Sequence, residues 1–233
     1  MSAVAARARE AVRLLESKGS QRVCEEQRTR YGITAEKAFG VPMNVIQALA
    51  KRLGRDHALA QALWESGWYE ARLLAAYVAE PSAVSARQMD QWARGWDNWG
   101  VVDTHCFVLF DRSPLAWKKV EQWSRRKEEY IRRGAFALLA CLALHDRTAP
   151  EARFLATIPL LERAATDDRN FVRKAVAWAL RAMGAPRRPA VRRAVIALAG
   201  RLVASGDPTA QALGRGALKD LKVAGRRSPR AAP

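Results

Sequence analysis

An aromatic ring and a carboxylate four residues apart, Trp99 and Asp103 in the segment DNWGVVDTHCFVLF, form the first constellation that could do chemistry. At about 100° per residue, a helix over 97–110 places Trp96, Trp99, Asp103, Cys106, Phe107 and Phe110 on one side. Asp103 then projects from the middle of an aromatic face. An ionised carboxylate there is costly unless something cationic answers it. A buried arginine held for structural reasons satisfies that demand as well as a functional partner does.

Two further helices carry candidates. In KEEYIRRGAFALLACLAL the apolar arc centres on Ile131, Ala135, Leu138 and Leu142, and Arg133 points away from it among Tyr130, Ala137 and Ala140. Small neighbours leave room for a flat or extended group, and a guanidinium suits bidentate contact with phosphate; a solvated surface arginine has the same signature. In DRNFVRKAVAWALRAMG the stripe Phe171, Val172, Ala175, Val176, Ala179, Leu180 and Met183 is expected to be buried. Trp178 sits at its edge beside Lys174 and Arg181, with Arg173 also on the helix. An aromatic at the border of a basic face is what nucleic-acid contact uses, and also what a half-buried core tryptophan looks like.

The elements that must position these groups read as helices almost throughout. Apolar residues recur at three- and four-residue spacing, and strand-like alternation is nearly absent. Val41-Pro42 with Gly54 closing, Ser113-Pro114, Asp168 ahead of Phe171 with Gly184 closing, and Asp207-Pro208 punctuate about a dozen helices. Consecutive helices pair at roughly 35–40 residues, about the period of HEAT-type repeats, which share one continuous core and present a concave surface to a long ligand. A globular helical bundle is the alternative. The expected organisation is a single repeat domain over 1–224 and a disordered basic tail over 225–233.

Composition narrows the function. Of 233 residues 49% are apolar and 27% charged, as in globular domains rather than disordered chains. No stretch approaches the roughly 20 apolar residues of a membrane span, and no secretory leader is evident. Cys24, Cys106 and Cys141 are too few and too scattered for a disulfide framework or a zinc site, so a reducing cytoplasm is expected. His57, His105 and His145 are scattered and no Gly-rich phosphate loop occurs, which argues against a metalloenzyme or an NTPase. Forty Lys and Arg against 23 Asp and Glu leave +17. Residues 1–110 hold 14 basic and 12 acidic side chains, whereas 111–233 hold 26 and 11. So uneven an excess points to a polyanion, since each neutralised phosphate releases a counterion; an Arg-rich coding bias explains the asymmetry poorly.

At these residues the chain resembles the AlkD-type DNA glycosylases, bacterial HEAT-like-repeat enzymes that remove alkylated purines. The likeness runs from about Tyr31 to Met183 and includes AFGVPMNVIQALAKRLG and LAQALWESGWYEARLLAAYVA, which look like the family's early repeats. The family's Trp-x-x-x-Asp pair falls on Trp99 and Asp103, its active-site arginine on Arg133, its later cleft tryptophan on Trp178, and a further cleft aromatic on Tyr31. One departure is Gly100, where many relatives have an acidic residue; glycine costs helix stability and removes a charge near Asp103.

The resemblance implies an all-α, HEAT-like curved solenoid with a concave basic cleft, acting as a monomer on double-stranded DNA that carries alkylated bases. It implies no cofactor, no metal and no membrane association, and a place in the bacterial cytosol near the nucleoid. Cationic lesions such as 3-methyladenine and 7-methylguanine are good leaving groups that need no general acid. Asp103 would stabilise the oxocarbenium-like sugar and orient water, Trp99 and Trp178 would pack on the deoxyribose, and Arg133 would hold the neighbouring phosphate. Lys174, Arg181 and Arg173 would add contacts to the backbone. The family is known for catalysis without base flipping. Two other readings stand beside this one: a HEAT-like relative that binds damaged or branched DNA without cleaving it, and a helical adaptor for a protein or RNA.

Overall fold

A computed structural model describes residues 3–226, with side chains through residue 222. Among these residues every regular element is helical. The chain divides into two compact units, Met1–Ala116 and Trp117–Pro233.

The first unit contains α1 (Ala3–Glu16), α2 (Gln21–Thr29), α3 (Met43–Leu53), α4 (His57–Glu65), α5 (Tyr69–Val78), α6 (Ala86–Arg94) and α7 (Trp99–Val108), with single 3-10 turns at Pro81–Ala83 and Phe110–Arg112. Helix α5 is the hub, packing against α1, α3, α4 and α7. Its burial follows from its sequence: YEARLLAAYV is apolar nearly all round, and such a helix must be surrounded. The expected start and stop of α3 are met, with Pro42 preceding its first turn and Gly54 (φ 69°) ending it.

The loop between α2 and α3 has no regular structure, so its backbone needs other partners. Glu70, fully buried on α5, supplies them: its carboxylate accepts hydrogen bonds from the backbone N–H groups of Phe39, Gly40 (2.7 Å) and Val41. Gly40 (φ 75°) is required there, because a Cβ would lie 2.2 Å from the Ser20 carbonyl oxygen. The AFGVP segment is therefore a loop clamped by one carboxylate.

The second unit begins within α8 (Ala116–Ser124) and continues with α9 (Glu129–His145), α10 (Glu151–Leu155), α11 (Ile158–Ala164), α12 (Asn170–Met183), α13 (Pro189–Val203) and α14 (Pro208–Arg226). Its most extensive pairings are α9 with α12 and α13 with α14. Helix α9 is buried almost continuously from Ile131 to Ala143 and forms the centre. Asp207 accepts from the Ala210 N–H (2.9 Å) and starts α14 where the Asp-Pro pair predicts. Helix α14 extends through Arg226, and the rest of the tail expected from residue 225 lies outside the described residues.

A cross-helix cap recurs here. Glu129 at the start of α9 accepts from the Phe171 N–H at the start of α12 (3.2 Å), and Glu151 of α10 accepts from the Ala190 N–H at the start of α13 (3.0 Å). Each carboxylate answers an orphan donor at a neighbour's N-terminus, where the helix dipole also favours negative charge.

Candidate functional site

The helix carrying Trp99 and Asp103 is shorter than its periodicity predicts. Asn98, extended (φ −153°, ψ 160°) and buried, accepts from the Val101 N–H (3.0 Å) and starts α7 at Trp99; at Leu109 the backbone leaves the helix (φ −132°, ψ −61°). The aromatic face drawn over 97–110 therefore breaks up. Trp96 and Phe110 lie outside the helical phase and turn into the core with His105 and Trp92. What remains is a graded face: Cys106 buried, Trp99 and Asp103 half-buried, and Phe107 42% exposed one turn beyond Asp103. Asp103 sits at the border of the core, with Trp99 and Phe107 one turn to either side of it.

Trp99 is held from two sides. Its indole Nε1–H donates to the Tyr31 carbonyl oxygen (2.8 Å), which brings the α2–α3 loop onto the start of α7. The Tyr31 ring itself is 43% exposed, with the Arg30 guanidinium 5.3 Å from its centroid. On the other side Gly100 lies against Tyr69 and Ile33, so closely that an added Cβ would fall 2.6 Å from the Tyr69 hydroxyl oxygen. Tyr31, Trp99 and Asp103 are thus brought together in the first unit.

The core side of the same helix carries a neutral histidine. Trp96 Nε1–H donates to His105 Nδ1 (3.2 Å), which makes Nδ1 the acceptor, and His105 Nε2–H then donates to the Arg72 carbonyl oxygen (3.0 Å). Burial pushes its pKa down to about 4. The ring is fixed in one tautomer and carries no charge at neutral pH.

In the second unit Arg133 is 5% exposed, although its helix position had predicted an open surrounding. The reason is α12, which covers this side of α9. Arg133 donates to the Phe171 carbonyl oxygen (2.7 Å), one turn after Glu129 accepts from the N–H of the same residue. Both backbone groups of Phe171 are therefore tied to α9, and the Arg133 guanidinium lies 6.0 Å from the Phe171 ring. On α12 the predicted buried stripe is found from Val172 to Met183, with Phe171 half-buried. Trp178 is half-buried, while Arg173, Lys174 and Arg181 are exposed. Arg133, Trp178 and the three α12 cations thus belong to one braced pair of helices.

Much of the second unit's positive charge is structural. Arg188, 7% exposed, donates to the carbonyl oxygens of Ala143 (3.1 Å) and Asp146 and stacks 4.1 Å from the Phe154 ring centroid. Arg187 donates to the Leu144 carbonyl oxygen (2.9 Å), and Arg192 to those of Gly184 and Leu221. These arginines cap carbonyls at the C-terminal ends of α9 and α12, and Arg192 also reaches a carbonyl within α14. Composition alone does not separate them from cations facing solvent.

Among the described residues no group of three His, Cys, Asp or Glu is placed to hold a metal, and no helix is long and apolar enough to cross a membrane.

The family model described as DNA alkylation repair enzyme matches residues 13–220. The chain belongs to that family. This DNA alkylation repair family member matches no curated protein. Its fold is that of the HEAT-like repeat proteins. A solved structure from a family described as related to the HEAT-like repeat DNA glycosylases, with affinity for branched DNA structures, superposes with TM-score 0.71, covering 82% of this chain and 81% of that one at 20% identity. An engineered protein (TM-score 0.44, 16% identity, 96% and 98% covered) and a designed armadillo repeat protein (0.33, 13%, 93% and 92%) are more distant and carry no weight. In this family member Tyr69 also accounts for Gly100: the space a side chain would need is taken by the phenol.

Sequence reasoning missed two features near these residues. The Tyr69–Gly100 contact left only a glycine as its trace. Asp220, which pairs with Arg181 across 3.4 Å, gave no signal, since the approach of α14 to α12 is not encoded in either helix alone.

Proposed function

We propose that this DNA alkylation repair enzyme is a glycosylase that hydrolyses the N-glycosidic bond of cationic alkylated purines, of the 3-methyladenine and 7-methylguanine type, in duplex DNA. The observation that carries the reading is Asp103, held half-buried one turn from a tryptophan that is itself fixed by the Tyr31 carbonyl. A carboxylate so placed suits a reaction in which positive charge grows on the sugar. The bond between C1′ and the purine nitrogen breaks, its electron pair goes to the base, and the base's positive charge is neutralised. Water then attacks C1′ and loses a proton, leaving an abasic sugar.

Asp103 stabilises the oxocarbenium-like sugar and orients the water. At about 4 Å and an effective dielectric near 20, one such charge pair is worth about 4 kcal/mol, roughly a thousandfold in rate. Trp99 offers its electron-rich face to the same cation. Arg133 is assigned to a backbone phosphate, its guanidinium set in advance by the bond to Phe171. Tyr31 and Trp178 add aromatic contacts, and Arg173, Lys174 and Arg181 contact phosphates. Selectivity comes from the charge and lability of the lesion, with the base left in or near the stack, so neutral lesions such as uracil are expected to be released far more slowly. The protein acts as a monomer without a cofactor.

The second reading is binding of branched or damaged DNA without cleavage; the structural relative's family is described as having affinity for branched DNA structures. Asp103 weighs against it, because a carboxylate facing phosphates weakens a simple binder. Release of free base from duplex treated with a methylating agent separates the two. Wild-type protein should release 3-methyladenine or 7-methylguanine, and Asp103→Asn should do so about a thousandfold more slowly with unchanged thermal unfolding. Binding by both proteins with release by neither would leave the non-catalytic reading in place.

A further inference from the structure

Between α12 and α14 the second unit has a groove of about 230 Å³ whose walls are unlike in charge and size. One wall carries Arg173, Lys174 and Arg181, at spacings that place them along one side of α12. The other wall, from α14, offers mainly small residues, Ala212 and Gly216 among them, and then Asp220. A Cβ added at Gly216 would meet nothing within 4 Å, so the floor of the groove lies open to whatever the cations bind. Arg173 and Lys174 make no ion pair among the described residues. Arg181 has one, with Asp220 at 3.4 Å, and both partners are nearly half exposed.

We infer that this groove is a backbone-phosphate site for duplex DNA, in which Asp220 competes with phosphate for Arg181. The inference rests on the duplex-DNA reading above, in which the three α12 cations already contact phosphates, and adds the groove that seats them and its regulation by Asp220. From Arg173 to Arg181 α12 rises about 12 Å, the axial span of about three phosphates at 3.4 Å each along one strand. Three cations against one carboxylate favour a polyanion, and the low α14 wall lets it approach. An exposed pair such as Arg181–Asp220 is worth at most about 1 kcal/mol, weak enough for a phosphodiester to replace it. Asp220 therefore lowers the groove's charge without closing it, which reduces affinity for undamaged DNA.

The test is binding of an undamaged duplex by the full chain as a function of salt, with three variants. Asp220→Asn should bind more tightly and steepen the slope of log K against log salt by about 0.9, one added phosphate contact. Gly216→Glu places a carboxylate on the open floor and should weaken binding about tenfold or more at 0.1 M salt, with a slope shallower by about one or two. Gly200→Glu on α13, where a Cβ also meets nothing within 4 Å, makes the same charge change outside the groove and should alter affinity less than about threefold. Equal effects of the two glutamates, or an unchanged slope in Asp220→Asn, would overturn the groove. Loss of salt-dependent duplex binding in the wild type would overturn the duplex reading itself, a separable outcome.

Discussion

The two units solve opposite electrostatic problems. Residues 1–116 carry 15 basic and 13 acidic side chains, whereas residues 117–233 carry 25 and 10. The near-neutral unit holds Asp103, and three neutral contacts help to fix the helix that carries it: an indole on a carbonyl, an indole on an imidazole, an imidazole on a carbonyl. The basic unit instead uses arginine as a building material. Arg188, Arg187 and Arg192 reach main-chain carbonyls of neighbouring helices, and Arg133 keeps one such bond, to Phe171, beside the phosphate contact proposed for it. A net charge of +15 is thus not fifteen phosphate contacts. Cations with carbonyl partners hold the helices, and those on the open side of α12 are available to a polyanion.

The largest effect expected from this contrast is on stability in the basic unit. Arg188→Met keeps much of the apolar stem and deletes the charge-assisted bonds to the Ala143 and Asp146 carbonyls, which no other side chain is seen to cap at that end of α9 among the described residues. Two under-satisfied carbonyls and the lost stacking on Phe154 should cost about 3 kcal/mol in urea unfolding. The salt slope of duplex binding should stay within about half a unit of wild type. Lys174→Ala should do the reverse, leaving stability within about 0.5 kcal/mol and making the slope shallower by about 0.9. If Arg188→Met instead flattens the slope and leaves stability alone, structural and DNA-facing arginines are not distinct classes here.

A comparable effect in the first unit depends on pH. His105 is neutral when folded, its pKa pushed from 6.5 down to about 4 by burial. The unfolded chain takes up the proton first, so stability is present above about pH 6.5 and is lost as pH falls towards 4. The loss amounts to about 3 kcal/mol over that window. Urea unfolding at pH 7 and pH 4.5 should show it in wild type, and His105→Gln should lower stability at pH 7 and flatten the decline. An equally steep decline in the variant would assign the acid sensitivity to carboxylates elsewhere.

The fold was largely legible in the sequence because helix signals are local. Gly54, Gly184 and Asp207-Pro208 mark boundaries found within a residue or two, and the stripe from Val172 to Met183 is buried as its spacing predicts. The site was legible in its residues and less so in their surroundings. Trp96 and Phe110 fit the aromatic face only if α7 runs three residues longer at its start and two at its end, and nothing in DNWGVVDTHCFVLF reveals the break at Leu109. Arg133 fits an open surface until α12 is laid over α9, a contact between residues 38 positions apart. Periodicity reports which side of a helix is apolar, not which neighbour covers the rest.

The smallest expected effect tests whether the first unit is as rigid around Trp99 as its contacts imply. Gly100 sits in the first turn of α7, where alanine ordinarily gains several tenths of a kcal/mol. Here the added Cβ lies 2.6 Å from the Tyr69 hydroxyl oxygen and 3.2 Å from Ile33 Cδ1, and Tyr69 is itself buried. The overlap must be relieved by moving a core ring or the start of α7, so Gly100→Ala should destabilise by about 1 kcal/mol. Because Trp99 is the preceding residue and is tied to Tyr31, base release should also slow by about threefold to tenfold. Tyr69→Phe removes the offending oxygen. In that background Gly100→Ala should be neutral or stabilising, a coupling of at least about 1 kcal/mol between the two positions. Strictly additive effects would mean that the phenol yields freely, and that its contact with Gly100 does not help to hold Trp99.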